Sequence, residues 1–142
     1  MFGSVESFLR PKAIAIVGAS ETGGGGWAKG LFENFAHEGF PAQVYLINPR
    51  RSELWDQKVY ANFSSIPETV DLGIFIIPAE AVADVLTEAA DAGLKNALIF
   101  ASRFGEGGDE AGLARAQILK DICIRTGLRI SGPNCMGAIS LP

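Results

Sequence analysis

Three features of this sequence predict a doubly wound α/β fold, a parallel sheet with helices on both faces. Five short apolar runs (13–17, 43–47, 72–77, 97–100 and 128–130) alternate with stretches of helical spacing, the signature of βαβ units. The runs are continuously apolar rather than alternating, as strands buried on both faces are. Glycine-bearing loops follow the first, fourth and fifth runs, at the carboxyl edge where such sheets bind ligands.

The elements follow in order. The run 13–17 opens the sheet and passes directly into a glycine-rich loop. Residues 27–38 then place Ala28, Leu31 and Phe35 on one helical face, and Gly39 follows as a C′ glycine. The second strand, 43–47, ends at Asn48 and Pro49. Residues 52–70 are less regular, and Ser64 to Glu68 reads as a turn or one short helical piece that completes a crossover. The third run, 72–77, is rich in Ile and Phe and reads as a central strand. The helix over 79–92 turns Val82, Val85, Leu86, Ala89 and Ala90 inward, with Glu80, Asp84, Glu88 and Asp91 outward, and Gly93 stops it. After the fourth strand, 97–100, Asp109 is the expected N-cap of a last helix. That helix is expected to bury Leu113, Ile118, Leu119, Ile122 and Cys123 and to end at Gly127. Right-handed crossovers then give a Rossmann-like sheet of five strands, most simply in the order 3-2-1-4-5.

Size and charge narrow the function. The chain has 142 residues, enough for one domain with a sizeable core, and we read 1–142 as that domain. A net charge of −4, with the 12 Lys and Arg scattered, argues against a nucleic-acid partner. No apolar run approaches the ~18 residues of a membrane helix. Arg10 and Lys12 ahead of the run 13–17 imitate a secretory signal, but the run is short, Glu6 interrupts the basic region, and a glycine loop follows at once. Cys123 and Cys135 lack metal-knuckle spacing and read most simply as reduced thiols of a cytoplasmic protein.

Four loops carry the chemistry. The first runs from Gly18 through Ala19, Ser20, Glu21, Thr22 and Gly23 to Gly26. Glycines there let backbone amides approach a phosphate, and a helix N-terminus adds a favourable dipole. A dinucleotide fingerprint is formally met at Gly23, Gly25 and Ala28, but five residues late. The second loop decides which nucleotide. NAD-binding folds want an acidic residue after the second strand, whereas this chain has Arg50 and Arg51. Guanidinium groups suit an additional ribose phosphate, as in NADP or coenzyme A. The third loop is Phe100, Ala101, Ser102, Arg103, Phe104 and Gly105, and the fourth is Ser131, Gly132, Pro133, Asn134, Cys135 and Met136. Cys135 as a nucleophile would need a base. The single histidine, His37, lies at the far end of the first helix and reads as a surface residue. We therefore assign no catalytic residue and no metal ligand.

Together these loops resemble the CoA-binding domain of the NDP-forming acyl-CoA synthetases, the superfamily of the succinyl-CoA synthetase α subunit. The resemblance spans residues 8–141 and rests on Ile16-Val17-Gly18-Ala19-Ser20, Ile47-Asn48-Pro49-Arg50-Arg51, Val70-Asp71-Leu72, Ile77-Pro78-Ala79, Gly105-Glu106-Gly107-Gly108 and Gly132-Pro133-Asn134-Cys135-Met136-Gly137. It implies that Ser20, Glu21, Thr22 and Gly23, following Gly18, hold the phosphates of CoA or acyl-CoA. It further implies that Arg51 contacts CoA, that Phe100, Ala101 and Ser102 line it with Ile76 and Pro78 close by, and that Asn134 and Cys135 lie near the reacting end. In that family a phosphohistidine and an ATP-grasp domain, in cis or on a separate subunit, complete the ligase, and neither matches these residues. One departure is Ser102-Arg103-Phe104, where many relatives carry Ala-Gly-Phe. Two alternatives stay open at this point: a freestanding CoA-binding protein, and an NADP-dependent oxidoreductase domain.

Overall fold

In the computed structural model, which describes residues 5–21, 26–37 and 39–138, the chain forms a seven-stranded sheet in the order β3-β4-β2-β1-β5-β6-β7. The strands are β1 (Ala13–Val17), β2 (Gln43–Ile47), β3 (Glu53–Leu54), β4 (Gln57–Tyr60), β5 (Leu72–Phe75), β6 (Asn96–Ile99) and β7 (Arg129–Ser131). Every pairing is parallel except β3 with β4. The helices are α1 (Glu6–Leu9), α2 (Trp27–His37), α3 (Ala79–Asp91) and α4 (Glu110–Thr126).

The doubly wound class matches, but the strand count and order need correcting. The five runs stand in the order 2-1-3-4-5, so the run from Leu72 sits inside the sheet, against β1. The order 3-2-1-4-5 would have put it at an edge, in conflict with its own composition. What was missed is a hairpin inside residues 52–70. Trp55 and Asp56, at φ 52° and 57°, form its two-residue turn, a backbone shape that fits the twist of a hairpin. Leu54 pairs with Gln57 across it, and β4 then adds to β2 in parallel. Counting only the parallel strands from β1 restores 3-2-1-4-5-6, with β4 as the third. The winding reverses beside β1 in both orders, but the neighbour across the reversal is β5 rather than the expected run 97–100.

Alternate residues of each strand feed the two faces. Ala13, Ala15, Val17, Phe75, Ala97 and Ile99 pack with Val82, Leu86 and Ala89 of α3 and Leu119 and Ile122 of α4. Ile14, Ile16, Leu46, Ile74 and Leu98 face the other side, where Ala28, Leu31 and Phe35 of α2 cover them. In α4, Leu113 and Ile118 are exposed rather than buried as expected. Gly112, Ala116, Leu119 and Ile122 form the stripe turned toward α3 and the sheet, and position 118 falls off it. The cap signals do hold: the Asp109 carboxylate accepts the Gly112 N–H at 2.7 Å, and Gly127 closes the helix at φ 73°. Glu88 also departs from expectation. Instead of facing solvent it accepts the N–H groups of Phe63 and Ser64 at 3.1 and 2.9 Å, tying α3 to the 3-10 turn Phe63–Ser65.

Candidate functional site

A cleft of about 1210 Å³ lies beyond the carboxyl ends of the parallel strands. Its floor is the reversal between β1 and β5, where Gly18 and Ile76 meet. Gly18 adopts φ +88°, and a Cβ there would lie 2.3 Å from the Ile76 carbonyl oxygen. Only glycine lets the two strand ends come this close. The Gly18 N–H continues the ladder to the Ile47 carbonyl at 3.0 Å, and the Ile76 N–H reaches the Val17 carbonyl at 2.9 Å.

The walls are braced by side chains at the strand ends. Asn48, just past β2, donates from Nδ2 to the Ala19 carbonyl at 2.7 Å and accepts the Arg50 N–H on Oδ1 at 2.9 Å. It thereby shapes the turn that presents the arginines and fixes it to the loop after β1. On the other side, the Asn134 N–H donates to the Ala101 carbonyl at 2.9 Å, joining the loop after β7 to that after β6. The Cys135 thiol contacts the Ile99 carbonyl at 3.4 Å. Gly132 permits this, since a Cβ there would lie 2.6 Å from the same carbonyl oxygen.

Most of the expected site residues converge here. Gly18, Ile76, Pro78, Phe100, Ala101, Ser102 and Asn134 all line the cleft. Arg50 lines it too, while Arg51 stands beside it and pairs with Glu21, Nη1 to Oε2 at 3.8 Å. Both partners of that pair are about half exposed, so water screens it. Ser20 is half-buried on the loop between them. Thr22 and Gly23 lie outside the described residues. Among the lining residues that sequence reasoning did not assign to the site are Trp27 and Asn62. Asn62 belongs to the irregular segment, where it caps the 3-10 turn by accepting the Ser65 N–H at 3.0 Å. Trp27 was legible only as the start of a helix, although an aromatic residue directly after a glycine loop is a usable signal.

Some groups stand apart from the cleft. The Tyr45 hydroxyl donates to the Glu68 carboxylate. That hydrogen bond, with burial and the adjacent negative charge, pushes its pKa up to about 12. Burial pushes the Cys123 thiol up from its ordinary value. His37, at the end of α2, is exposed.

Comparison with known proteins adds what geometry alone does not decide. A family described as a CoA binding domain matches residues 12–140. This chain belongs to that family. The domain is 35% identical over 133 residues to a trans-feruloyl-CoA synthase from an unidentified prokaryote, covering 94% of this chain and 18% of that protein. It is 33% identical over 144 residues to the α subunit of an ADP-forming acetate–CoA ligase of Pyrococcus furiosus, covering 98% and 30%. Among solved structures, it superposes with a TM-score of 0.84 on an acetyl-coenzyme A synthetase of Ca. Korarchaeum cryptofilum, with 33% identity over 94% of this chain and 28% of that one. The CoA-binding domain thus spans less than a third of each of these relatives. It is homologous to the matching part of ADP-forming acyl-CoA ligases, and a freestanding CoA-binding protein is not the favoured reading. Among the described residues no helix is long and apolar enough to cross a membrane.

Proposed function

We propose that this domain holds CoA as a substrate while a longer, cytoplasmic ADP-forming ligase joins the CoA thiol to an acid. The observation that carries the reading is the layout of the cleft. It lies at the sheet reversal, with a glycine loop at β1, paired arginines in place of an acidic residue at β2, and apolar strand ends beyond β5 and β6. CoA matches that layout, with phosphates at one end and a thiol at the end of a long uncharged arm. In this pose Gly18, Ser20, Glu21, Thr22 and Gly23 surround the diphosphate through backbone amides, and Arg51 meets the ribose phosphate. The arm runs past Ile76, Pro78, Phe100, Ala101 and Ser102, and Asn134 stands at the reacting end. Residues 1–142 are then the N-terminal domain of a larger ligase, and the phosphate-activating steps belong to an ATP-grasp domain or subunit outside these residues.

Calorimetric titration of the purified chain tests this. CoA is expected to bind more tightly than NAD, with NADP no better than intermediate. NAD binding more tightly than CoA would overturn the proposal, and NADP binding most tightly would favour an oxidoreductase domain.

A further inference from the structure

The cleft has two chemically different ends. On the β2–β4 side it is polar, lined by Asn48, Arg50 and Asn62. On the β6–β7 side it is uncharged, with Phe100, Ala101, Cys135 and Met136 beside the neutral Ser102 and Asn134, and Trp27 reaching in from the first turn of α2. The steps from β2 through β1 and β5 to β6 separate the two ends by about 14 Å at ~4.8 Å per strand.

Trp27 is not placed there by core packing. Ala28, Leu31 and Phe35 supply the contacts of α2 with the sheet. The Trp27 side chain instead remains 50% exposed, with its ring centroid 5.7 Å from that of Phe100 at an interplanar angle of 55°. Met136, on the same side, is 87% exposed. Large apolar side chains held open to water inside a cleft mark a surface that a ligand covers. Arg103 of the adjoining loop is paired with Glu80 in the first turn of α3 at 2.9 Å.

Resting on the CoA reading, the phosphates at the polar end direct the thiol to the aromatic end. We infer that Trp27, Phe100 and Met136 form an acyl subsite selective for an aromatic acyl group on CoA. A planar ring can pack against the indole and phenyl groups in the tilted or offset geometry that aromatic pairs prefer, with a thioether at its edge. An acetyl group reaches none of this surface effectively.

The test is calorimetry on the whole chain with CoA, acetyl-CoA and benzoyl-CoA. Benzoyl-CoA is expected to bind about tenfold more tightly than acetyl-CoA, the scale of one added aromatic contact. Trp27→Leu is expected to abolish that advantage while leaving CoA itself within about twofold, and Phe100→Leu to reduce it. Circular dichroism checks that both variants fold. Equal affinities for the two thioesters, with CoA still bound, would overturn the subsite and leave the CoA reading standing. Equal weakening of all three ligands by Trp27→Leu would also overturn it, by assigning the indole to the shared part of CoA. Failure of all three to bind the wild-type chain would overturn the CoA reading itself, and the subsite with it.

Discussion

Replacing Gly18 by Ala tests the geometry on which the cleft depends. The added methyl meets two obstacles that the structure separates. At φ +88° an L-residue pays for a left-handed backbone, roughly 1–2 kcal/mol. Its Cβ would also lie 2.3 Å from the Ile76 carbonyl oxygen and 2.7 Å from Ile77 Cγ2. Relieving that overlap means prying apart β1 and β5, and overpacking of this kind costs roughly 1–3 kcal/mol more. The sum is about 2–5 kcal/mol, or roughly 6–20 °C in Tm for a domain of this size. Gly26 provides an internal control. It has a similar φ of +84°, yet nothing lies within 4 Å of a Cβ built there. Gly26→Ala should therefore carry only the backbone cost of roughly 1–2 kcal/mol. Thermal denaturation of the two variants side by side isolates the steric part. Calorimetry well below both midpoints should show CoA weakened in Gly18→Ala. Equal losses of Tm would show that the β1–β5 approach is not as tight as described, and undiminished CoA affinity would detach the cleft floor from binding.

Further expectations concern the walls and the core. Arg51→Ala should weaken CoA about ten- to a hundredfold while sparing dephospho-CoA, the scale of one charge-assisted hydrogen bond to the ribose phosphate. Arg50→Ala, at the cleft-lining neighbour, is the comparison, and a larger loss there in calorimetry would move the contact one residue back. Asn48→Ala removes the bond to the Ala19 carbonyl and the Arg50 turn, and should cost about 1–3 kcal/mol in urea denaturation because it strands a buried carbonyl. Tyr45 supplies a pH test. Its pKa is higher in the fold than in the unfolded chain, so its contribution to stability is complete below pH 10 and disappears as the pH rises toward 12. Denaturation midpoints measured from pH 9 upward should fall less steeply in Tyr45→Phe than in the parent.

How much of this was legible beforehand depended on burial. Residues 13–17 and 43–47 were marked as strands by continuous apolar character, and β1 and β2 have those same bounds. Asp109 and Gly127 announced the ends of α4 because cap chemistry is local. The β3–β4 hairpin was not legible. Its strands are short, Gln57 and Lys58 are exposed, and its turn uses Trp55 and Asp56 rather than a glycine pair. An edge strand needs little apolar surface, so periodicity is a poor guide to it. Missing that one strand displaced the whole order. The cleft fared better, because loops after parallel strands share one edge whatever the order. Gly18, Phe100 and Asn134 fall on that edge under either topology, but Ile76 and Pro78 join Gly18 at the cleft floor because β5 pairs with β1. The bracing by Asn48 and the inward reach of Trp27 depend on side-chain direction, which spacing does not carry.

The central claim, that this cleft is where the domain holds CoA, is tested most directly by amide chemical-shift mapping of the labelled chain during titration with CoA. The account predicts that shifts concentrate at Gly18, at Asn48 to Arg51, at Ile76 and Ile77, at Phe100 to Ser102 and at Asn134. Residues at the opposite edge of the sheet, such as Lys12, Asp71 and Arg129, should remain still. Saturable shifts confined to that opposite edge, with the cleft residues unmoved, would contradict it.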